Sequence, residues 1–204
     1  MLKHLSEFLV AVVTMIGSLA TIYVKYLLDQ RAKAKVDVVK ISQEHDLLIY
    51  DKLEEVRQAL DSDRVYLIQY HNGSFYKSGQ SMLKMSMSHE VCAPGISREI
   101  QGAQNLPLSL FADSVGKFYS EGKLNVPNVA DDPDLEESVR QMYLGRGIKS
   151  AYCAPVRDLQ GRVMGSLCVN YVTELYDMPK KELDYLHKNT LVMSGYMRSI
   201  STSH

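Results

Sequence analysis

The stretch from Ala151 to Val172, AYCAPVRDLQGRVMGSLCVNYV, constrains the fold more than any other. Two runs of alternating character flank Asp158-Leu159-Gln160-Gly161. That pattern predicts a β-hairpin, with Gly161 free to take positive φ in the turn. In the second run Val163, Gly165, Leu167, Val169 and Tyr171 share one face, and Met164, Ser166, Cys168 and Asn170 share the other. Pro155 cannot donate to a ladder, so its strand must carry a bulge there or lie at an edge. A lone hairpin cannot bury its apolar face. The long helical segments before and after it are the expected cover.

A chain of 204 residues has room for one domain and an appendage. Its formal net charge of -1 gives no global case for nucleic-acid binding. Cys92, Cys153 and Cys168 form an odd, sparse set without C-x-x-C spacing. The expectation is therefore free thiols in a reducing compartment.

Phe8 to Val24 carries no charge, and with Lys25 snorkelling the apolar span reaches Leu28. This approaches the ~20 residues of a bilayer span, with Tyr23 and Tyr26 placed for the interface. A cleaved signal peptide and a buried core helix are the alternatives. Ala32-Lys33-Ala34 mimics a cleavage site, but it sits in a basic run well past the apolar core. Lys3 precedes the span, whereas Lys25, Arg31, Lys33 and Lys35 follow it. Positive-inside reasoning then puts the N-terminus outside and the remaining chain in the cytoplasm, as a single-pass protein of the cell (inner) membrane.

Residues 32–59 contain neither Pro nor Gly. Val38, Ile41, His45 and Leu48 form one helical stripe, and Ile49, Leu53, Val56 and Leu60 form a second after a phase slip. The segment reads either as a coiled-coil-like stalk or as an amphipathic helix packed on its own domain. The expected organisation is a tail at 1–7, a transmembrane helix at 8–28, a helical stalk at 29–62 and a globular domain at 63–204.

Within the domain, residues 64–72 read as a strand ending in turn chemistry at Asn72-Gly73-Ser74. Leu83, Met85, Met87 and His89 alternate along a half-exposed second strand. Residues 91–105 read as a loop. Pro107 opens a helix with Leu108, Phe111, Val115 and Phe118 inward, and residues 124–129 form a short strand. Asp132-Pro133 starts a further helix with Leu135, Val139 and Met142 inward. In the last helix Leu183, Leu186, Thr190, Met193, Met197 and Ile200 step by three and four, which predicts a helix–helix seam. A homodimer through the terminal helices is the expectation, with the domain's own stalk as the alternative partner.

Helix, strand, strand, loop, helix, strand, helix, hairpin, helix is the element order of a GAF domain. The residues that carry the likeness are DRVYLIQYHNGSF at 63–75 and IKSAYCAPVRDLQGRVMGSLCVNYV at 148–172. The latter resembles the family's end, a strand with Pro-Val, a Gly turn and then Val-x-Gly-x-Leu. The likeness covers roughly residues 36–200. PAS domains are the nearest rival, but they usually lack the terminal helix pair. The resemblance implies an α+β fold: an antiparallel sheet with terminal helices on one face and a small-molecule pocket on the other. It implies a sensory or regulatory role. The Asn-Lys-Phe-Asp-Glu signature of cyclic-nucleotide-binding members is absent, as is the cysteine context of bilin-binding members. No chromophore or other cofactor is therefore expected.

In the resembling family the ligand lies between one sheet face and the helices and loop above it. On this chain that gives Tyr70, Asn72, Met85, Met87 and Phe111 as candidate ligand-binding residues. The residues alone do not rank the two faces of the first strand, and Tyr70 with Asn72 is taken over Gln69 with His71. The same side chains could instead fill the core. No catalytic residue is expected. His71 and His89 lack an acidic partner at ligand spacing, so no metal site is expected either. The reading is a membrane-anchored GAF-like module that binds a small molecule or a protein partner. Two alternatives stand beside it. A GAF-type free methionine sulfoxide reductase would need a converging thiol pair, and a structural membrane scaffold would have a filled pocket.

Overall fold

The computed structural model describes residues 2–34 and 38–201, in two units, residues 1–42 and 43–204. Residues 35–37 of the expected stalk, Lys35 among them, lie outside the described residues, as do the side chains of Val38 and Ile200. Helix α1 runs Leu2–Ala34. Within it Ala11–Leu28 has mean hydropathy 1.6 and none of it is buried, so α1 is long and apolar enough to cross a membrane; a signal sequence passes the same test. Ser18 and Thr21 donate their hydroxyls to the carbonyls of Thr14 and Gly17, which removes two polar groups from an otherwise apolar surface.

The second unit is built on one antiparallel sheet of six strands in the order β3-β2-β1-β6-β5-β4. They are β1 Arg64–Phe75, β2 Ser81–Cys92, β3 Leu106–Pro107, β4 Leu124–Val126, β5 Ser150–Arg157 and β6 Val163–Tyr171. Four helices accompany it: α2 Val38–Ala59, α3 Ala112–Ser120, α4 Glu137–Gly145 and α5 Lys180–Ser201.

The hairpin at 151–172 forms, and its alternation holds from Gly165 to Tyr171. The irregularity at Met164 exchanges the two residues before Gly165, so Val163 packs on the Cys168 face and Met164 on the Leu167 face. Gly161 takes φ 79° in the turn. Pro155 pairs with Ser166 on one side, while β4 pairs with β5 only from Ala151 to Cys153. Pro155 thus sits where β5 has become an edge, and its missing donor costs nothing. Gly165 has a different reason to be glycine. A Cβ there would lie 2.0 Å from the Ile68 carbonyl oxygen of the neighbouring strand.

The alternation separates two cores. Val65, Leu67, Tyr152, Ala154, Val156, Leu167, Val169 and Tyr171 pack with Ile49, Leu53, Val56 and Leu60 from the end of the expected stalk, and with Leu186 and Met193 of α5. The second stripe of α2 is therefore part of the domain's own core. The α5 seam faces the sheet: Leu186 and Met193 are fully covered, and Leu183 and Met197 pack beside them. On the other face Tyr66, Ile68, Met85, Met87, Cys153 and Cys168 meet Phe111, Phe118, Val139 and Tyr143 from the connections.

Several local expectations are corrected. β1 continues to Phe75, with an irregularity in the β1–β2 register between Asn72 and Phe75, and the chain reverses at Tyr76–Gln80 instead of Asn72–Ser74. A second shift between Leu67 and Ile68 sets His89 against Leu67 and Met87 against Ile68. It moves His89 off the methionine face, where Nε2 meets Asp46 of α2 at 3.1 Å and the ring stands edge-on to Tyr50. Helix α4 starts at Glu137 and not at Asp132-Pro133. Asp132 instead closes a turn onto the Asp134 N–H, and Arg140 gathers the carbonyls of Val129, Ala130, Asp132 and Leu135.

A buried ion pair holds the 91–105 connection. Arg64 and Glu90 side chains are 1% and 0% exposed, with Nε 3.1 Å from Oε1. That Nε makes no directed hydrogen bond, so the contact is ionic. Glu90 also accepts the backbone N–H groups of Glu99 and Ile100, and Arg64 donates to the Ser97 carbonyl. Breaking such a pair strands a charge in the interior. Glu90→Gln is expected to lower unfolding stability by about 3 kcal/mol or more. Urea denaturation measures it, and a loss below about 1 kcal/mol would show that the pair does not hold this segment.

Candidate functional site: a covered cavity on one sheet face

Three adjacent strands supply the floor of a cavity of about 50 Å³: Tyr66, Ile68 and Tyr70 of β1, Met85 and Met87 of β2, and Ser166 and Cys168 of β6. Their common face follows from register, since Tyr66 lies opposite Cys168, Ile68 opposite Ser166, and Tyr70 opposite Met85. Ala103, Leu106, Phe111, Val115, Met142, Tyr143 and Arg146 form the cover. At roughly 10–15 Å³ per water, the space holds a few waters or a ligand of a few heavy atoms.

The cover is tied down by polar contacts. Glu136, just before α4, accepts the backbone N–H groups of Asp113 and Ser114 and the Ser114 hydroxyl. It caps the start of α3 from a distant part of the chain. Arg146 reaches the Gly102 carbonyl at 3.3 Å and Glu99 at 3.6 Å. The polar side chains in the wall are the phenols of Tyr66, Tyr70 and Tyr143 together with Ser114, Ser166 and Arg146. Burial pushes the Tyr66, Tyr70 and Tyr143 hydroxyls above the ordinary phenol range, so all three are neutral donors near pH 7. Tyr66 Oη lies 3.5 Å from Asn170 Oδ1.

Of the residues singled out from sequence, Tyr70, Met85, Met87 and Phe111 are brought together around the cavity. Asn72 is exposed and opposes Leu83 in the ladder, outside the lining. Gln69 and His71 are also outside it, bonded to Ser88 and Ser86. Tyr66, Tyr143, Arg146 and Ser166 were not anticipated. Tyr66 shares the period-two face of Tyr70 and was legible; Tyr143 stands four residues after Val139 on the helical face.

The cysteines overturn the expectation of three free thiols. Cys153 and Cys168 are directly opposed on β5 and β6, with Cα atoms 4.1 Å apart, and are joined by a disulfide in the cavity wall. Counting back from the pair Arg157–Val163 would set Cys153 against Leu167. The irregularity after Val156 moves the register by one residue, to Cys168. Cys92 is free, and its thiol points to the Ser97 carbonyl. Among the described residues, no group of three or more His, Cys, Asp or Glu side chains converges.

The sequence matches the GAF domain family over residues 46–186, well over half of the chain. The chain belongs to the GAF domain family. Solved structures share its fold. A far-red cyanobacteriochrome photoreceptor superposes with a TM-score of 0.60 at 15% identity, covering 85% of this chain and 98% of that one. The GAF domain of PixJ from Thermosynechococcus elongatus, in its blue-light-absorbing form, gives 0.59 at 14% identity, covering 78% and 90%. A GAF domain region from Geobacter sulfurreducens gives 0.59 at 12% identity, covering 80% and 99%. No curated protein matches. At these identities the likeness is one of fold. The six-stranded antiparallel sheet and its helices are those of the family.

Proposed function

We propose that this GAF domain is a membrane-anchored sensory or regulatory module that binds a small ligand in its cavity and performs no catalysis. The observation that carries the reading is the unfilled space on one sheet face, between a rigid floor and a cover made of short connections. An apolar enclosure with a few convergent polar groups is the usual form of a small-ligand site. Its size favours small molecules such as short carboxylates or the smaller amino acids over nucleotides. Tyr70, Met85, Met87 and Phe111 contact the ligand in this reading. Asn72, beyond Tyr70 on the strand, joins only for a ligand that extends out of the cavity. In the same reading α1 is the anchor, and the basic flank behind it sets the N-terminus outside. The Cys153–Cys168 bond removes free thiols as an argument for a cytoplasmic domain, so the orientation rests on charge alone. Protease added to intact spheroplasts should leave the domain whole; its digestion would reverse the orientation.

Self-association through the terminal helices is proposed only through what the sheet leaves uncovered. Leu47 and Leu48 of α2 and Leu191 of α5 are exposed. Light scattering that reads a strict monomer would remove it.

One observation favours a second reading. The converging thiol pair that a GAF-type methionine sulfoxide reductase requires is present in the cavity wall. The small cavity argues against seating that substrate, so binding without turnover is preferred. Dithiothreitol-dependent reduction of free methionine sulfoxide by the protein would reverse the preference.

The main test is a thermal-shift screen of amino acids, short carboxylates and nucleotides on the full-length protein. A ligand at 100-fold its Kd should stabilise by about 2.7 kcal/mol, or roughly 5–10 °C in Tm for a chain of this size. Val115→Phe, which puts a ring into the space, should abolish the shift while leaving the fold intact. A shift that persists in Val115→Phe places the ligand elsewhere.

A further inference from the structure

We infer that Cys153–Cys168 is a reversible redox site whose thiol–disulfide state sets the shape of the cavity. The proposal goes beyond the ligand-binding reading and does not depend on which ligand is bound. Four observations carry it. The two residues face each other across the β5–β6 ladder, so backbone pairing keeps them together in either redox state. Both line the cavity, which puts the sulfurs beside space not filled by side chains. They are 4% and 3% exposed beside a cavity of about 50 Å³, so a reductant reaches them only when the cover over the cavity moves aside. Cys92 is bound to the Ser97 carbonyl beside the 91–105 connection, outside the cavity lining, and is not a third partner.

The geometry makes the two states sterically different. Bonded sulfurs sit about 2.05 Å apart. Non-bonded heavy atoms need roughly 3.5–4.0 Å. With the strands held in register, reduction must separate the sulfurs by side-chain rotation, and the available room is the cavity. Ser166, whose hydroxyl is 3.5 Å from Cys168 Sγ, is the first neighbour displaced. Met85, Met87 and Met142, unbranched and adaptable, line the same space and take up the rest. Because ligand and thiols compete for that space, occupancy and redox state are linked, and each shifts the other by the same factor.

The exchange itself is a two-electron reaction with a dithiol. A thiolate of the reagent attacks one cysteine sulfur, forming a mixed disulfide and releasing the other cysteine as thiolate. The second reagent thiolate then displaces the first cysteine and closes the reagent's own disulfide. The two protons lost by the reagent end on Cys153 and Cys168.

The test uses full-length protein in detergent micelles, treated with dithiothreitol under native conditions and reoxidised with oxidised glutathione. Iodoacetamide trapping and intact mass report the redox state, and methionine-methyl NMR reports both faces of the sheet. Reversible reduction is expected, with shifted methyl signals for Met85, Met87 and Met142 and unchanged signals for Met178 and Met193 in the opposite core. The Cys153→Ala/Cys168→Ala double variant should keep the Met178 and Met193 signals and lose the response, and Cys92→Ala should keep it. Reduction only after denaturation would overturn the proposal. So would loss of both sets of signals together, cavity methyls that do not move once reduction is confirmed, or a double variant that fails to fold.

Discussion

The pairing of β1 with β6 is the constraint on which the rest of the domain depends. In the strand order β3-β2-β1-β6-β5-β4 it alone joins the half built from residues 64–107 to the half built from 124–171. Six register pairs, from Arg64–Asn170 to Gln69–Gly165, make that seam. At its end the two backbones approach so closely that Gly165 admits no side chain against the Ile68 carbonyl. The seam sets Leu67 beside Leu167 on one face, and Tyr66 beside Cys168 on the other. Because strand residues alternate, a slip of one position would exchange the two faces along the whole sheet.

The two faces are closed in different ways. One is sealed by the long helices α2 and α5 through fully covered Ile49, Leu53, Val56, Leu186 and Met193. Tyr171 adds a hydrogen bond from its hydroxyl to the Leu60 carbonyl at the helix end. The other is closed by short pieces: a two-residue strand, two single 3-10 turns and two nine-residue helices. Elements this short are marginal without tertiary support. Glu90, Glu136 and Arg140 supply it by binding backbone groups of the connections. In the proposed reading the cover, held by a few charged side chains, opens to admit a ligand while the seam stays closed.

Much of this was legible in the sequence, and the exceptions share a cause. Period-two patterns at 165–171 and three-four patterns in α2 and α5 reveal which residues turn inward, since burial acts on each residue of a regular element in the same way. The GAF element order follows from that, whereas the cavity side of Tyr70, Met85, Met87 and Phe111 comes from the family resemblance, since periodicity alone does not rank the two faces of β1. Irregularities escape because periodicity assumes they are absent. One extra residue in β2, Ser88, carries His89 to the opposite face, and one in β6, Met164, brings Cys153 against Cys168. Asp132-Pro133 reads as a helix start because its side-chain chemistry also closes an isolated turn. Which object covers the α5 seam was equally beyond the pattern, since a sheet face and a partner helix ask for the same spacing.

The central claim is that the sheet is a rigid floor and the cavity cover an independently opening part. Native-state hydrogen exchange on the full-length protein tests it most directly. Amides of β1, β5 and β6 should exchange only through global unfolding, whereas those of residues 97–120 should exchange through local opening at a free energy several kcal/mol lower. Protection of residues 97–120 equal to that of the β1–β6 seam would contradict the account, because the cover and the floor would then be a single cooperative unit.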